Sequence, residues 1–355
     1  MKNFRTVFLI TFLSLVIVSC KKDNDDAPTP EITNGVFIVN EGSFGSGNSS
    51  ISYMSLATGV MTNDLFQNVN GFPLGDVAQS MTLHNGLAYV IVNNSQKVEV
   101  LNKTDFTSIA TISGLQGPRY LVAKGNKGYV SDWFANEVVV IDLLTNNITK
   151  HIPVGNGPEQ MAIVGDVLFV TNVGGFGNDS TVSVINLLTE TNVGTIEVGV
   201  NPNSVQLDAN GKLWVLCGGS TGPDFTGGTA DDIAGELWKI NPVTFAPELK
   251  FNMNTSMHPI KLQKNGTSTE LYFLAGSDGY TGKIMKMDIN TTVLNPALFG
   301  NKDFYGLGID PVSGIVYGAW VPGFTQNGSV YRYSAAGLLM DFNEVGIAPN
   351  WFVFN

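Results

Sequence analysis

The chain has 355 residues, a formal charge of −11 and 43% hydrophobic content that includes 21 Phe, 10 Tyr and 5 Trp, which excludes a disordered chain. Its 40 glycines are about 11% of the residues against a usual ~7%, and charged residues are 14% against a usual ~25%, so turns are many and the surface is thinly charged. Nucleic acid is a poor partner for an acidic chain whose arginines beyond residue 19 are Arg119 and Arg332, because neutralising phosphates needs a basic face.

Lys2 and Arg5 precede an apolar and hydroxyl run from Val7 to Val18. Twelve residues are too few to span a bilayer, which takes ~20 in a helix, and a basic start, a short apolar middle and a small residue before the break read as a secretory signal peptide over residues 1–19. The stretch Ile17-Val18-Ser19-Cys20 resembles the bacterial lipobox. That resemblance implies acylation of Cys20 as the first mature residue, with loss of Lys2 and Arg5 taking the charge to −13; a plain signal cut elsewhere is the alternative. Residues 20–34 open with Lys21-Lys22-Asp23-Asn24-Asp25-Asp26 and continue through Ala27-Pro28-Thr29-Pro30, a composition that cannot pack and reads as a flexible tether. Acidic residues just after the lipidated Cys resemble the export signal of lipoproteins displayed on the outer face of some Gram-negative cells. The expected location is therefore the outer membrane, facing the exterior, with membrane contact through the lipid anchor only and the periplasmic leaflet as the competing address. Cys217 is then the one remaining thiol, so no internal disulfide is expected, and its place at the end of the apolar run Leu213-Trp214-Val215-Leu216 reads as structural.

From residue 35 to 355 the sequence repeats itself. Gly117-Pro118-Arg119-Tyr120-Leu121-Val122 matches Gly157-Pro158-Glu159-Gln160-Met161-Ala162 and Val200-Asn201-Pro202-Asn203-Ser204-Val205. After each comes an aromatic strand (Tyr129-Val130-Ser131-Asp132, Phe169-Val170-Thr171-Asn172, Trp214-Val215-Leu216-Cys217), an alternating strand closing on Asp or Asn (Val138 to Asp142, Val182 to Asn186, Leu237 to Asn241), and a Thr- and Asn-rich turn into a fourth strand. Short β-branched runs bounded by Gly, Asn and Asp are strands, and no window holds a helical period. Complete units run from Gly75 to Gly346, flanked by an N-terminal piece, Gly35 to Phe72, that lacks the Pro-led first strand, and by a C-terminal piece, Ile347-Ala348-Pro349-Asn350-Trp351-Phe352-Val353-Phe354, that supplies it. The expectation is an all-β, seven-bladed β-propeller of four-stranded blades whose ring is closed by the C-terminal strand, which leaves no open sheet edge in the ring. The Tyr-Val-Ser-Asp and Phe-Val-Thr-Asn quartets with their Val-Val-Ile-Asp followers resemble the YVTN-repeat or YncE-like propellers, over essentially the whole of residues 35–355.

Propeller connectivity places the turn before strand one and the loop after strand two on the same face. Strand-one starts bring Gln79, Arg119, Glu159, Asn203, His258, Tyr305 and Asn350 around the central channel, and the loops bring Phe44, Trp133, Phe134, Phe176, Phe225, Tyr280, Trp320 and Phe324. Loops are ordinarily small and polar, so rings there point to binding, although some will fold back onto their own blade. Unequal loop lengths on one face fit the binding face of a repeat protein. The longest loop carries Asp224, Asp231 and Asp232, but their spacing matches neither an EF-hand nor the calcium-binding nonapeptide, so a solvated acidic loop is preferred to a calcium site. Gly174-Gly175-Phe176-Gly177 leads into a strand, so it has no helix dipole to aim at phosphate. Spacing nominates no catalytic residue: His84 and His151 fall away from the candidate face, and only Glu159 with His258 could meet across the channel, which keeps a lactonase or lyase open as an alternative. No cofactor is expected.

The lipoprotein leader, the seven-bladed ring and Asn40-Glu41-Gly42 soon after the mature N-terminus together resemble the BtuG-type surface lipoproteins. That resemblance implies a capture protein that holds a corrinoid, vitamin B12, and passes it to a TonB-dependent outer-membrane transporter. Aromatic loops with Gln79, Asn203, Asn350 and Arg119 suit a large amphipathic disc fringed with amides. A glycan-binding or adhesion propeller is the competing reading, since Trp and Tyr rings also stack on sugars.

Overall fold

The computed structural model describes residues 32–223, 227–254 and 257–355, which belong to one compact unit, Glu31–Asn355. The expected signal peptide, Cys20 and most of the expected tether lie outside the described residues, as do Asp224 and Phe225. Seven four-stranded antiparallel sheets are arranged in a ring. Their innermost strands are Pro349–Phe354, Ala78–His84, Pro118–Lys124, Pro158–Val164, Pro202–Leu207, Ile260–Lys264 and Gly306–Ile309, each neighbouring the next in that cyclic order. The fold is a seven-bladed β-propeller.

Blades are numbered here from the N-terminus. Blade one is made from both ends of the ring: Pro349–Phe354 pairs with Gly35–Asn40, with Phe352 opposite Ile38 and Phe354 opposite Val36. The second strands explain why the apolar runs are continuous. Leu213–Cys217 is buried at every residue, and Lys127–Asp132 at every residue but the first, because each blade is covered on both faces by its neighbours. Outer strands such as Thr191–Glu197 are mostly exposed and mostly polar. Core clusters accordingly bridge blades: Phe37 and Tyr53 of blade one pack with Met81 and Val90 of blade two, and Tyr129 and Val140 of blade three pack with Met161 and Leu168 of blade four.

One element departs from the all-strand reading. Leu65–Asn70 is an α-helix of six residues that follows the two-residue strand Met61–Thr62 and buries Leu65 and Phe66 against blades one and two. Under two turns long, it is too short to print a helical period on the sequence.

Two repeated details build the channel face. The Asp or Asn that closes a second strand ties down its surroundings: Asp132 accepts the N–H groups of Gln116 (2.7 Å) and Gly117 (2.6 Å), and Asn172 donates to Thr181 Oγ1 (2.8 Å) and Ser183 Oγ (3.0 Å). The second detail is a shift of register near the start of the inner strands, between Ala78 and Ser80, Pro118 and Leu121, Pro158 and Met161, Pro202 and Ser204, and Ile260 and Gln263. A bulge of this kind leaves residues unpaired and re-aims their side chains. Gly157, at φ 59°, precedes one such bulge; a Cβ there would lie 2.4 Å from the Gly175 backbone nitrogen, so glycine lets the loop after strand two close over the channel rim.

Candidate functional site

Counted from the proline step, the blades place Asn350, Gln79, Arg119, Glu159, Asn203, Ile260 and Tyr305 at equivalent positions; the first five are bulged out of the ladder, whereas Ile260 still pairs with Leu274 and the inner strand pair of blade seven shows no register shift. The sequence-based ring therefore needs one correction. His258 precedes Pro259 and is not a channel residue; Ile260 takes that position, and His258 is 2% exposed, its Nδ1 3.0 Å from the Gly218 carbonyl and its Nε2 3.1 Å from Asp232 Oδ2. Glu159 and His258 do not converge. Glu159 is committed instead to Arg119, whose Nε–H and Nη2–H donate to Glu159 Oε1 at 2.9 and 2.8 Å while Nη1–H donates to Gln79 Oε1 at 2.7 Å.

Two residues that the repeat did not reveal complete the mouth. Glu41, immediately after the second strand of blade one, accepts the Tyr305 hydroxyl at 2.9 Å. Lys261, one residue beyond Ile260, sits at φ 60°, lays its ammonium 5.9 Å from the Tyr305 ring centroid and donates to Asn350 Oδ1 on blade one, two blades away. Aligning on Pro259 rather than on the histidine beside it puts Ile260 at the ring position, while Lys261, one step further, reaches the mouth from a left-handed backbone. Asn350 in turn donates to the Gln79 carbonyl at 3.1 Å and Asn203 to the Pro259 carbonyl at 2.9 Å, so side-chain amides stitch the ring from blade to blade.

Burial governs the electrostatics of this cluster. It lowers the Lys261 pKa to about 8 against the opposing pull of Glu41, and it raises that of Glu41 although Lys261 and the Tyr305 hydroxyl favour the carboxylate. Burial is the largest single influence on Arg119 and works against its charge, but Glu159, Tyr120 and Glu41 together outweigh it and the guanidinium stays ionised. The Tyr120 and Tyr305 phenols are pushed up by burial and remain donors.

Two spaces meet here. A cavity of about 320 Å³ at the channel mouth is bounded by Glu41, Gln79, Arg119, Glu159, Lys261 and Tyr305. A cleft of about 880 Å³ lies over blades four to six, between Phe176 and Tyr280, with Asn178, Asn201 and His258 on its walls. Val173, Asn203, Ile260, Gly279 and Tyr280 line both, so they form one continuous depression. Phe176 is 92% exposed and Tyr280 65% exposed at its rim. Trp133 and Phe134 line neither space; Trp133 stands behind Phe176, with ring centroids 5.1 Å apart in a T-shaped contact, and Phe134 4.9 Å from it. Trp320 lies outside both as well, packed against the core of blades six and seven under the Lys302 ammonium at 4.5 Å. Phe324 packs on Tyr305 at 5.3 Å, and Phe44 is an exposed loop ring.

The family model described as a domain of unknown function (DUF5074) matches residues 34–345. The chain belongs to this family. No curated protein sequence matches the chain at a significant level. Among solved structures, a quinonprotein alcohol dehydrogenase-like protein from Bacteroides thetaiotaomicron is similar with a TM-score of 0.70 and 15% identity, over 92% of this chain and 79% of that one. The periplasmic gluconolactonase of Pseudomonas aeruginosa gives 0.67 and 11%, over 91% and 99%. Kuenenia stuttgartiensis hydrazine synthase gives 0.63 and 12%, over 77% and 88%. At these identities the likeness is one of fold.

Chemically, this DUF5074 propeller offers hydrogen-bonding amides, paired charges and stacking rings. Cys217 is buried and its thiol is pushed up by burial, which leaves it protonated and unreactive. Among the described residues no three His, Cys, Asp or Glu side chains are grouped to hold a metal ion, and Asp232 faces inward onto His258 rather than outward. No described helix is long and apolar enough to cross a membrane.

Proposed function

We propose that this protein is a lipid-anchored capture protein that holds a large amphipathic ligand over the channel mouth and releases it unchanged. The observation that carries this reading is the continuous depression, about 880 Å³ of cleft opening into about 320 Å³ of polar channel mouth. Pockets that engulf drug-sized ligands are of this order, and combine apolar walls with a few placed polar groups. Exposed Phe176 and Tyr280 offer ring faces at the rim, and Asn178, Asn201 and Asn203 offer amides along the floor. A corrinoid, a broad disc with an amide fringe, suits both, and the lipobox-like Cys20 with its acidic tether suits display on the outer membrane beside a TonB-dependent transporter. Capture without turnover fits a His258 held on both ring nitrogens, away from the Arg119 and Glu159 pair.

Calorimetric titration of the mature protein with cyanocobalamin and with a panel of oligosaccharides tests the reading. The expected result is cobalamin binding that weakens at least about tenfold in Phe176→Ala and in Tyr280→Ala, the size of a lost aromatic anchor. Binding of a glycan alone would replace the corrinoid with a sugar, and conversion of any titrant would make the protein an enzyme.

A further inference from the structure

We propose that the channel mouth is an anion subsite, in which Lys261 and Arg119 receive a carboxylate or phosphate group carried by the ligand. It rests on the reading of the loop face as a ligand site, and goes beyond it in naming a charge that the ligand must bring.

Lys261 is the pivot. Its ammonium lies within a walled cavity rather than on the surface, it donates to the neutral amide oxygen of Asn350, and among the described residues it forms no ion pair with a carboxylate. A cation in that half-buried position has lost part of its hydration without gaining a counter-charge in contact. Its backbone is also held at φ 60°, a left-handed conformation that residues with a long side chain rarely adopt and that persists where surrounding structure enforces it. Repeat position does not require this: the equivalent residues Tyr120 and Gln160 are not at positive φ. The backbone is thus twisted at the one bulge where doing so carries a lysine into the mouth.

Arg119 lines the same cavity from blade three. Glu159 and Gln79 occupy its Nε and one hydrogen of each terminal nitrogen, and a guanidinium has five N–H donors, so donors remain for a ligand oxygen. Glu159 is neutralised by that pair. Glu41 is the remaining acid facing Lys261, and burial raises its pKa, which weakens its opposition to a bound anion. With Tyr305 and Tyr120 protonated, the groups around Lys261 leave the mouth poised for negative charge. Carboxylate and phosphate both match two converging cationic donors.

The mature protein is titrated calorimetrically at pH 7 with sodium phosphate and, separately, with sodium gluconate, against sodium chloride as the blank. Wild type should bind one equivalent of at least one of the two anions; phosphate alone or gluconate alone tells which oxyanion the ligand carries. Lys261→Met should weaken that binding about tenfold to a hundredfold, the loss of one charge-assisted hydrogen bond, while Lys261→Arg keeps it and Lys302→Met, changed outside the cavity, leaves it as in wild type. Affinity should also fall above pH about 8, where Lys261 loses its proton. No heat with either anion at about 10 mM, a concentration far above a useful affinity, overturns the subsite, as does equal binding by Lys261→Met in a protein that still melts cooperatively. Cyanocobalamin binding that neither anion nor Lys261→Met disturbs would overturn the subsite and leave capture standing. Anion binding without cobalamin binding would do the reverse.

Discussion

Removing Pro349 to Asn355 should unfold the ring rather than shorten it. The deleted strand is the innermost strand of blade one, and its loss unpairs Val36 to Asn40 along one whole edge. Phe352 is 7% exposed and Asn350 fully buried, while Trp351, Val353 and Phe354 pack at the margins of two core clusters. Full burial of such side chains stabilises by about 1.5–3 kcal/mol each, and with three of the four partly exposed the set contributes roughly 5–8 kcal/mol. The bonds from Asn350 Nδ2 to the Gln79 carbonyl (3.1 Å) and from Trp351 Nε1 to the Met81 carbonyl (3.2 Å) add about 1 kcal/mol each. Those losses equal most or all of a typical stability of ~5–15 kcal/mol. Phe352→Ala is the graded companion: its ring lies 5.8 Å from Tyr317 and against Gly308, and truncation should cost about 3–5 kcal/mol while keeping a cooperative transition. Near-ultraviolet circular dichroism during thermal and urea unfolding reads both. A deletion variant that melts cooperatively within a few degrees of wild type would refute closure by this strand.

Trp133→Ala should weaken ligand binding through Phe176, which it props from behind at 5.1 Å, so the double variant with Phe176→Ala should lose little more than either alone in a double-mutant cycle. Lys261→Met should stabilise the unliganded protein at pH 7 by at most about 3 kcal/mol, because burial disfavours the charged amine; since the folded pKa lies below the unfolded one, stability of the wild type rises as pH climbs from about 8 towards 10.5 and the gap closes, which melting curves across that range will read. Cys20→Ala should abolish labelling by radioactive palmitate and release a soluble protein, and persistent label would move the anchor elsewhere.

The ring was legible because proline marks the same step in several blades. Pro118, Pro158, Pro202 and Pro349 each precede a channel residue, and Gln79 and Tyr305 follow from the spacing of the strands they pair with. Blade six is harder to place from sequence because a polar His258 stands directly before Pro259, while the ring position after it is the apolar Ile260. Lys261 was beyond reach for another reason: a positive φ at a lysine is imposed by packing, and no residue type announces it. A ring after a strand end looks unneeded there, so the sequence points to Trp133 and Trp320 as ligand contacts, yet the supporting ring of a T-shaped pair and the shelf under Lys302 are tertiary uses that sequence does not encode.

What separates a scaffold repeat from a functional one is where the blades agree. Three residues on from the proline position, the inner strands carry Phe352, Met81, Leu121, Met161, Val205, Leu262 and Leu307, all apolar and all buried, because blade must pack on blade. One residue on from the proline position the same strands carry Asn350, Gln79, Arg119, Glu159, Asn203, Ile260 and Tyr305, the first five of them at a bulge: amide, cation, acid, alkyl and phenol. A bulge residue is released from the sheet's ladder, so pairing does not dictate its type. If the channel needed only to be filled, like residues would serve at each step, and paired charges would be a poor choice, since burying an ion pair is often less favourable than burying apolar groups of similar size. The mouth instead holds the Arg119–Glu159 ion pair on one side and, on the other, Lys261 and Glu41, which are not in contact, around an open space of about 320 Å³. A site that accepts an ion pair, a lone lysine and a further acid beside a cavity is better explained by what enters the cavity than by the stability of the ring.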